Sequence, residues 1–127
     1  MQGAPVILVV DDEESVRLLL STLLERDSFT VLLANDGQHA LEVSRQYAGE
    51  ISAVVTDYKM PRMDGLQLAK SITKERPGIR VMIMSGRMSN PDALQQCGFP
   101  MLAKPFTISG FLDSLKQCLR SPGPKTR

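Results

Sequence analysis

The chain carries one histidine, two cysteines, almost no excess of either charge and no long apolar run. Each shortage removes a class of function. Cys97 and Cys118 fall in different helical stretches without CxxC spacing, which leaves them as small reduced packing residues rather than a disulfide or thiol metal centre. His39 lies in an amphipathic helical stretch and reads as a surface histidine, not a metal ligand. Fifteen Lys and Arg against fourteen Asp and Glu give a net charge of +1. Apart from Lys125 and Arg127 the basic residues are scattered, so no nucleic-acid footprint is expected. The longest apolar run, Pro5 to Val10, is far short of the roughly 18 residues of a membrane span. It is also too short, and lacks the basic flank, for a signal-peptide core. A cytoplasmic domain with no membrane partner is the expectation.

What remains is ordinary for a compact fold: 127 residues, 43% apolar and 23% charged. Two hydrophobic periods alternate along it. Val6 to Val10 is a continuous, β-branched run of the kind buried on both faces of a sheet, and it stops at Asp11-Asp12. Val16, Leu19, Leu20 and Leu23 follow at helical spacing. Phe29 to Ala34 is a second strand, and Asn35-Asp36-Gly37 a turn that can cap a helix through Ala40, Leu41 and Tyr47 to Gly49. Ser52 to Thr56 is a third strand, stopped by Asp57. Asp64 caps a helix through Leu68, Ala69 and Ile72, ended at Pro77-Gly78. Ile79 to Met84 is a fourth strand, ending at Ser85-Gly86. Asn90-Pro91 opens a short helix that Gly98 stops. Pro100 to Ala103 is a fifth strand, and Thr107 opens a last helix with Ile108, Phe111, Leu112, Leu115 and Leu119 on its buried side. The segment after Arg120 has nothing apolar to bury and is expected to be a flexible tail over 121–127.

Strict alternation of strand and helix implies right-handed βαβ units, a parallel sheet and helices on both faces. Such sheets bind ligands beyond the carboxyl ends of their strands, where the strand order reverses. The residues at those ends are Asp11 and Asp12, then Asp57, then Ser85, then Lys104-Pro105. Taken singly, each is a cap, a turn or a loop residue. Together they bring three carboxylates, a hydroxyl and an ammonium to one crevice. Crowded carboxylates repel, and a cation resolves the repulsion. Mg2+ suits an all-oxygen set; zinc does not, for want of His or Cys. A carboxylate beside such an ion can attack phosphorus and form an acyl phosphate, a reaction that depends on positioning and charge stabilisation. Lys104 would neutralise oxygen charge and Ser85 would hydrogen-bond a phosphoryl oxygen. Gly86 leaves the approach to Asp57 open.

The motifs Ile7-Leu-Val-Val-Asp-Asp-Glu13, Val55-Thr-Asp-Tyr-Lys-Met-Pro-Arg-Met-Asp-Gly65, Met82-Ile-Met-Ser-Gly86 and Leu102-Ala-Lys-Pro-Phe106 resemble those of response-regulator receiver domains. The resemblance covers nearly the whole chain, with residues 1–120 as the receiver. It implies a flavodoxin-like, doubly wound α/β fold with strand order 2-1-3-4-5, and Asp57 as phosphoacceptor. It also implies Asp12 as a direct Mg2+ ligand, Asp11 holding a metal-bound water, the backbone carbonyl of Lys59 as a further ligand, Ser85 and Lys104 as the switch hydroxyl and lysine, and a cis Lys104-Pro105 bond. The implied donor is a phosphohistidine on a sensor histidine kinase or phosphotransfer protein.

Two departures stand out. Met101 occupies the position where such receivers usually carry an aromatic switch, and the stretch from Ser85 to Lys104 is short. Output is therefore expected through the segment from Arg87 to Gly98; Lys59 and Arg87 stand where such receivers flank the path of attacking water, with Lys59 as a plain solvated surface charge the equal alternative. A phosphohydrolase that forms an aspartyl phosphate is the competing enzyme reading; Lys59 stands where such enzymes place a second acid. A pseudo-receiver and a flavodoxin-type nucleotide binder compete less well, the first against a complete acid set, the second for lack of a phosphate loop after strand one. With no catalytic or DNA-binding segment evident after Arg120, a stand-alone regulator and a receiver cut from a longer chain, such as a hybrid kinase, both stay open, and so does the downstream target or fused domain.

Overall fold

Residues 4–86 and 98–120 are described by a computed structural model of the chain. The element order is β1 (Val6–Val10), α1 (Glu14–Arg26), β2 (Thr30–Ala34), α2 (Gly37–Gln46), β3 (Ala53–Asp57), α3 (Gly65–Glu75), β4 (Arg80–Ser85), β5 (Met101–Ala103) and α4 (Ile108–Arg120). The five strands are parallel, in the order β2-β1-β3-β4-β5. The expected helix from Asn90, most of the expected output segment, Arg87, Cys97 and the tail after Arg120 lie outside the described residues.

Side chains of β1 alternate between two cores, as strand geometry requires. Val6, Leu8 and Val10 join Ala40 and Leu41 of α2 and Leu68, Ala69 and Ile72 of α3. Ile7 and Val9 join Leu20, Leu23 and Leu24 of α1 and Phe111, Leu115 and Cys118 of α4. Every residue of β1 and β3 is buried, which explains why those strands read as unbroken apolar runs. The connection through α1 moves outward to β2; the next, through α2, steps back over β1 to β3. The chain reverses direction across the sheet between β1 and β3, and this opens the crevice at their carboxyl ends.

Several boundaries differ from the sequence reading. Strands two, three and four begin one residue later than expected, at Thr30, Ala53 and Arg80. Helix α2 stops at Gln46, not Gly49, with Tyr47 turning extended as its C-cap. Ile108, expected on the buried side of the last helix, is 56% exposed, and Leu19, at helical spacing with Leu20 and Leu23, is 52% exposed. The α1 stripe runs through Leu20, Leu23 and Leu24, which rotates Leu19 outward, and Ile108 precedes the stripe of Phe111, Leu115 and Cys118 on α4. His39 is half-buried; its Nδ1 accepts the Asn35 N–H at 3.1 Å.

Candidate functional site

Sheet hydrogen bonding carries the chain into the crevice at three places. Asp11 N–H donates to Ala34 O (3.3 Å), Tyr58 N–H to Met84 O (2.8 Å) and Lys104 N–H to Ser85 O (2.8 Å), continuing the ladders just past the strand ends. The rigid sheet thereby sets where Asp11, Asp57, Ser85 and Lys104 emerge. Carboxylate oxygens of Asp11, Asp12 and Asp57 all lie within 4.8 Å of one another. Asp11 is fully buried, Asp57 is 8% exposed and Asp12 is open to solvent. Lys104 Nζ reaches Asp57 Oδ1 at 3.0 Å and Asp11 Oδ2 at 3.9 Å. The Lys104-Pro105 bond is cis.

Four of the five side chains named from the sequence thus converge. Ser85 stands on the same edge, opposite Ala103 in the ladder, but its hydroxyl donates to the carbonyl of Gly86 at 3.3 Å. Lys59 is exposed in the loop that follows Asp57.

Asp11 is the most strained electrostatically. Burial pushes its carboxyl up from 3.8 to about 6; the charges of Asp57 and Asp12 add to the rise, while the Glu13 N–H bond and Lys104 oppose it. Its Oδ1 accepts the Glu13 N–H at 3.0 Å. Oδ2 is buried and accepts no hydrogen bond. A buried carboxylate oxygen that has no hydrogen bond, and only the Lys104 ammonium at 3.9 Å, sits in a crevice of three acids that calls for a cation, since leaving such a group without a bond costs about 1–3 kcal/mol or more. The all-oxygen donor set, without His or Cys, fits a hard divalent ion such as Mg2+.

Two residues that shape this crevice escaped the sequence reading. Gly65, the first residue of α3, lies so close to the end of β3 that a Cβ there would sit 2.5 Å from Asp57 O and 3.0 Å from Tyr58 Cα. Its N–H donates to Tyr58 O at 2.7 Å, and Asp64 with Gln67 closes a capping box around it. Only glycine lets the helix start against the Asp57–Tyr58 peptide. Asp-Gly after a loop was the available signal. Arg17, on α1, donates from its guanidinium to the Asp11 carbonyl at 2.7 Å; nothing local in the sequence marks that contact.

A family model described as the response regulator receiver domain matches residues 7–116. Among curated relatives, the sensor kinase CckA of Brucella abortus is 32% identical over 94% of this chain and 13% of its own length. The transcriptional regulatory protein GlrR of Escherichia coli is 32% identical over 94% of this chain and 27% of its own length. The chain therefore spans a small part of these relatives. Among solved structures, a receiver domain protein from Clostridium thermocellum superposes with a TM-score of 0.81 at 29% identity, covering 91% of this chain and 94% of that one. A receiver protein from Sinorhizobium medicae gives 0.82 at 28% identity, covering 93% and 96%.

Proposed function

The chain belongs to the response regulator receiver domain family, and from that premise we propose that it accepts a phosphoryl group on Asp57 and signals by the change this makes at the crevice. Receivers of this family work with histidine kinases and downstream effector domains, and bind Mg2+ at an acidic pocket. The donor in this reading is a phosphohistidine of a sensor kinase or phosphotransfer protein. An Asp57 carboxylate oxygen attacks phosphorus, the P–N bond to the donor imidazole breaks, and the departing imidazole takes up a proton. Mg2+, held by Asp11, Asp12, Asp57 and the Lys59 carbonyl, would neutralise charge on the phosphoryl oxygens. Lys104 supplies a second positive charge, and Ser85 turns its hydroxyl from Gly86 towards a phosphoryl oxygen. The observation that carries the reading is the Lys104 ammonium 3.0 Å from the carboxylate of Asp57, inside a cluster of three acids.

Incubation with acetyl phosphate and Mg2+ tests it. The expected result is one hydroxylamine-sensitive phosphate per chain, abolished by Asp57→Asn, because an amide is a poor nucleophile, and by chelation of Mg2+. Continuous multiple turnover would make the chain a hydrolase, and full labelling of Asp57→Asn would place the acceptor elsewhere.

A further inference from the structure

Helix α1 begins without a capping side chain: Glu13 occupies the N-cap position and its side chain accepts no hydrogen bond from the first turn. The loop that precedes it carries Asp11 and Asp12, the two acids that β1 delivers to the crevice. Something other than a cap must hold that loop. Arg17 does so from inside the helix. Its guanidinium donates to the Asp11 carbonyl at 2.7 Å, while its own N–H donates to Glu13 O at 3.1 Å. With Asp11 N–H bonded to Ala34 O and Asp11 Oδ1 bonded to Glu13 N–H, three of the four polar groups of Asp11 are tied to protein. The fourth, Oδ2, is left buried without a hydrogen bond in the acidic cluster. The tie on the carbonyl also sets the plane of the Asp11–Asp12 peptide, from which the exposed Asp12 side chain starts.

We propose that Arg17 is a positioning residue for the divalent-cation site, orienting the Asp11–Asp12 peptide so that both carboxylates present to one ion. This rests on the reading of the crevice as a Mg2+ site. The residue acts through backbone alone and touches neither acceptor nor ion. Guanidinium suits the task because it is always charged and offers donors in a fixed plane, and a bond from a charged donor is stronger than a neutral one. Groups that orient metal ligands typically change metal affinity by about 10- to 100-fold when removed.

Two effects of removing Arg17 oppose each other, and their signs decide the matter. Loss of a cation near three acids would by itself tighten Mg2+ binding. Loss of the tie loosens two ligands and weakens it. The experiment is direct Mg2+ titration by calorimetry on the wild type, Arg17→Gln and Arg17→Lys at pH 8, with thermal unfolding of each as a check on folding. Weakening of about tenfold or more in Arg17→Gln is expected. Arg17→Lys, which keeps the charge and one mobile donor, should fall between Arg17→Gln and the wild type. At saturating Mg2+ the acetyl phosphate labelling rate of Arg17→Gln should recover towards that of the wild type, splitting affinity from chemistry. Unchanged or tighter binding in a folded Arg17→Gln would overturn the proposal while leaving the crevice reading intact. Failure of the wild type to bind Mg2+ would overturn both.

Discussion

At the scale of single residues, Lys104 has two opposed effects on the crevice. It pairs with Asp57 at 3.0 Å and approaches Asp11 at 3.9 Å, so it both compensates the acids and repels an incoming cation. Lys104→Met should therefore bind Mg2+ several-fold more tightly at pH 8. At saturating Mg2+ it should be labelled on the order of 100- to 1000-fold more slowly, because on the proposed reading a charge facing the developing phosphoryl oxygens would be gone. Calorimetry and a labelling time course read the two effects separately; no change in one of them would show that the lysine acts on the other alone. This residue was legible because it stands at a strand end, where hydrophobic runs stop and polar residues have no structural reason to recur. Asp11, Asp12 and Asp57 were legible for the same reason. Arg17 was not, since a basic residue on a helix reads the same whether it faces solvent or a backbone carbonyl. Ile108 lies off the buried side expected for it because apolar spacing admits several stripes, and only packing selects the one that is buried.

At the scale of elements, the ends of the helices hold more of the specification than their middles. The C-terminus of α2 lacks a glycine cap, and its carbonyls are satisfied from another helix. Arg76, itself the C-cap of α3, donates to the carbonyls of Ser44 (2.7 Å), Tyr47 (2.8 Å) and Gly49 (3.0 Å) and to the Ser44 hydroxyl (2.7 Å). One side chain thus ties two helix ends at the side of the sheet away from the acids. Bonds from charged donors contribute about 1.5–3 kcal/mol each in favourable cases, and they are not additive within one group. Arg76→Ala should lower stability by about 2–3 kcal/mol in urea unfolding, through a lower midpoint with an unchanged slope. Mg2+ affinity should be unaltered, since the crevice is at the opposite strand ends; a matching loss of Mg2+ binding would contradict that separation. The early stop of α2 belongs to this contact. Periodicity carries Tyr47 on the helical face, but the guanidinium draws the chain into an extended turn, and a partner so distant along the chain leaves no local signature.

At the scale of the whole molecule, the parallel sheet and its two covered faces follow from alternation and from fully apolar five-residue strands, which fit only a covered sheet, whereas the strand order comes from the family resemblance. The pattern conveys that crowded carboxylates repel at the carboxyl edge of the sheet, but not which of the three the fold buries and so burdens with the cost. Burial raises the carboxyl of Asp11 from 3.8 to about 6, with the charges of Asp57 and Asp12 adding to burial and the Glu13 N–H bond and Lys104 working against it. A folded-state value above the unfolded one means that the folded chain holds this proton more tightly. The contribution to stability is fully present below about 3.8 and is lost as pH rises through about 6. Asp11→Asn removes the titration and keeps the shape. In metal-free solution its stability relative to the wild type should therefore rise between pH 4 and pH 7, by at most about 3 kcal/mol for a shift of roughly two units. A Mg2+ ion bound as proposed would reverse the sign, because it would bind the ionised carboxylate and stabilise only the folded state. In the wild type the increase in Tm caused by Mg2+ should be small at pH 5 and grow through pH 7, while in Asp11→Asn it should stay small throughout. Thermal unfolding of both proteins with and without Mg2+ across that range decides it. A Mg2+-dependent stabilisation that is equal at pH 5 and pH 7 would show that the buried carboxyl is not the group coupling the cation to the fold.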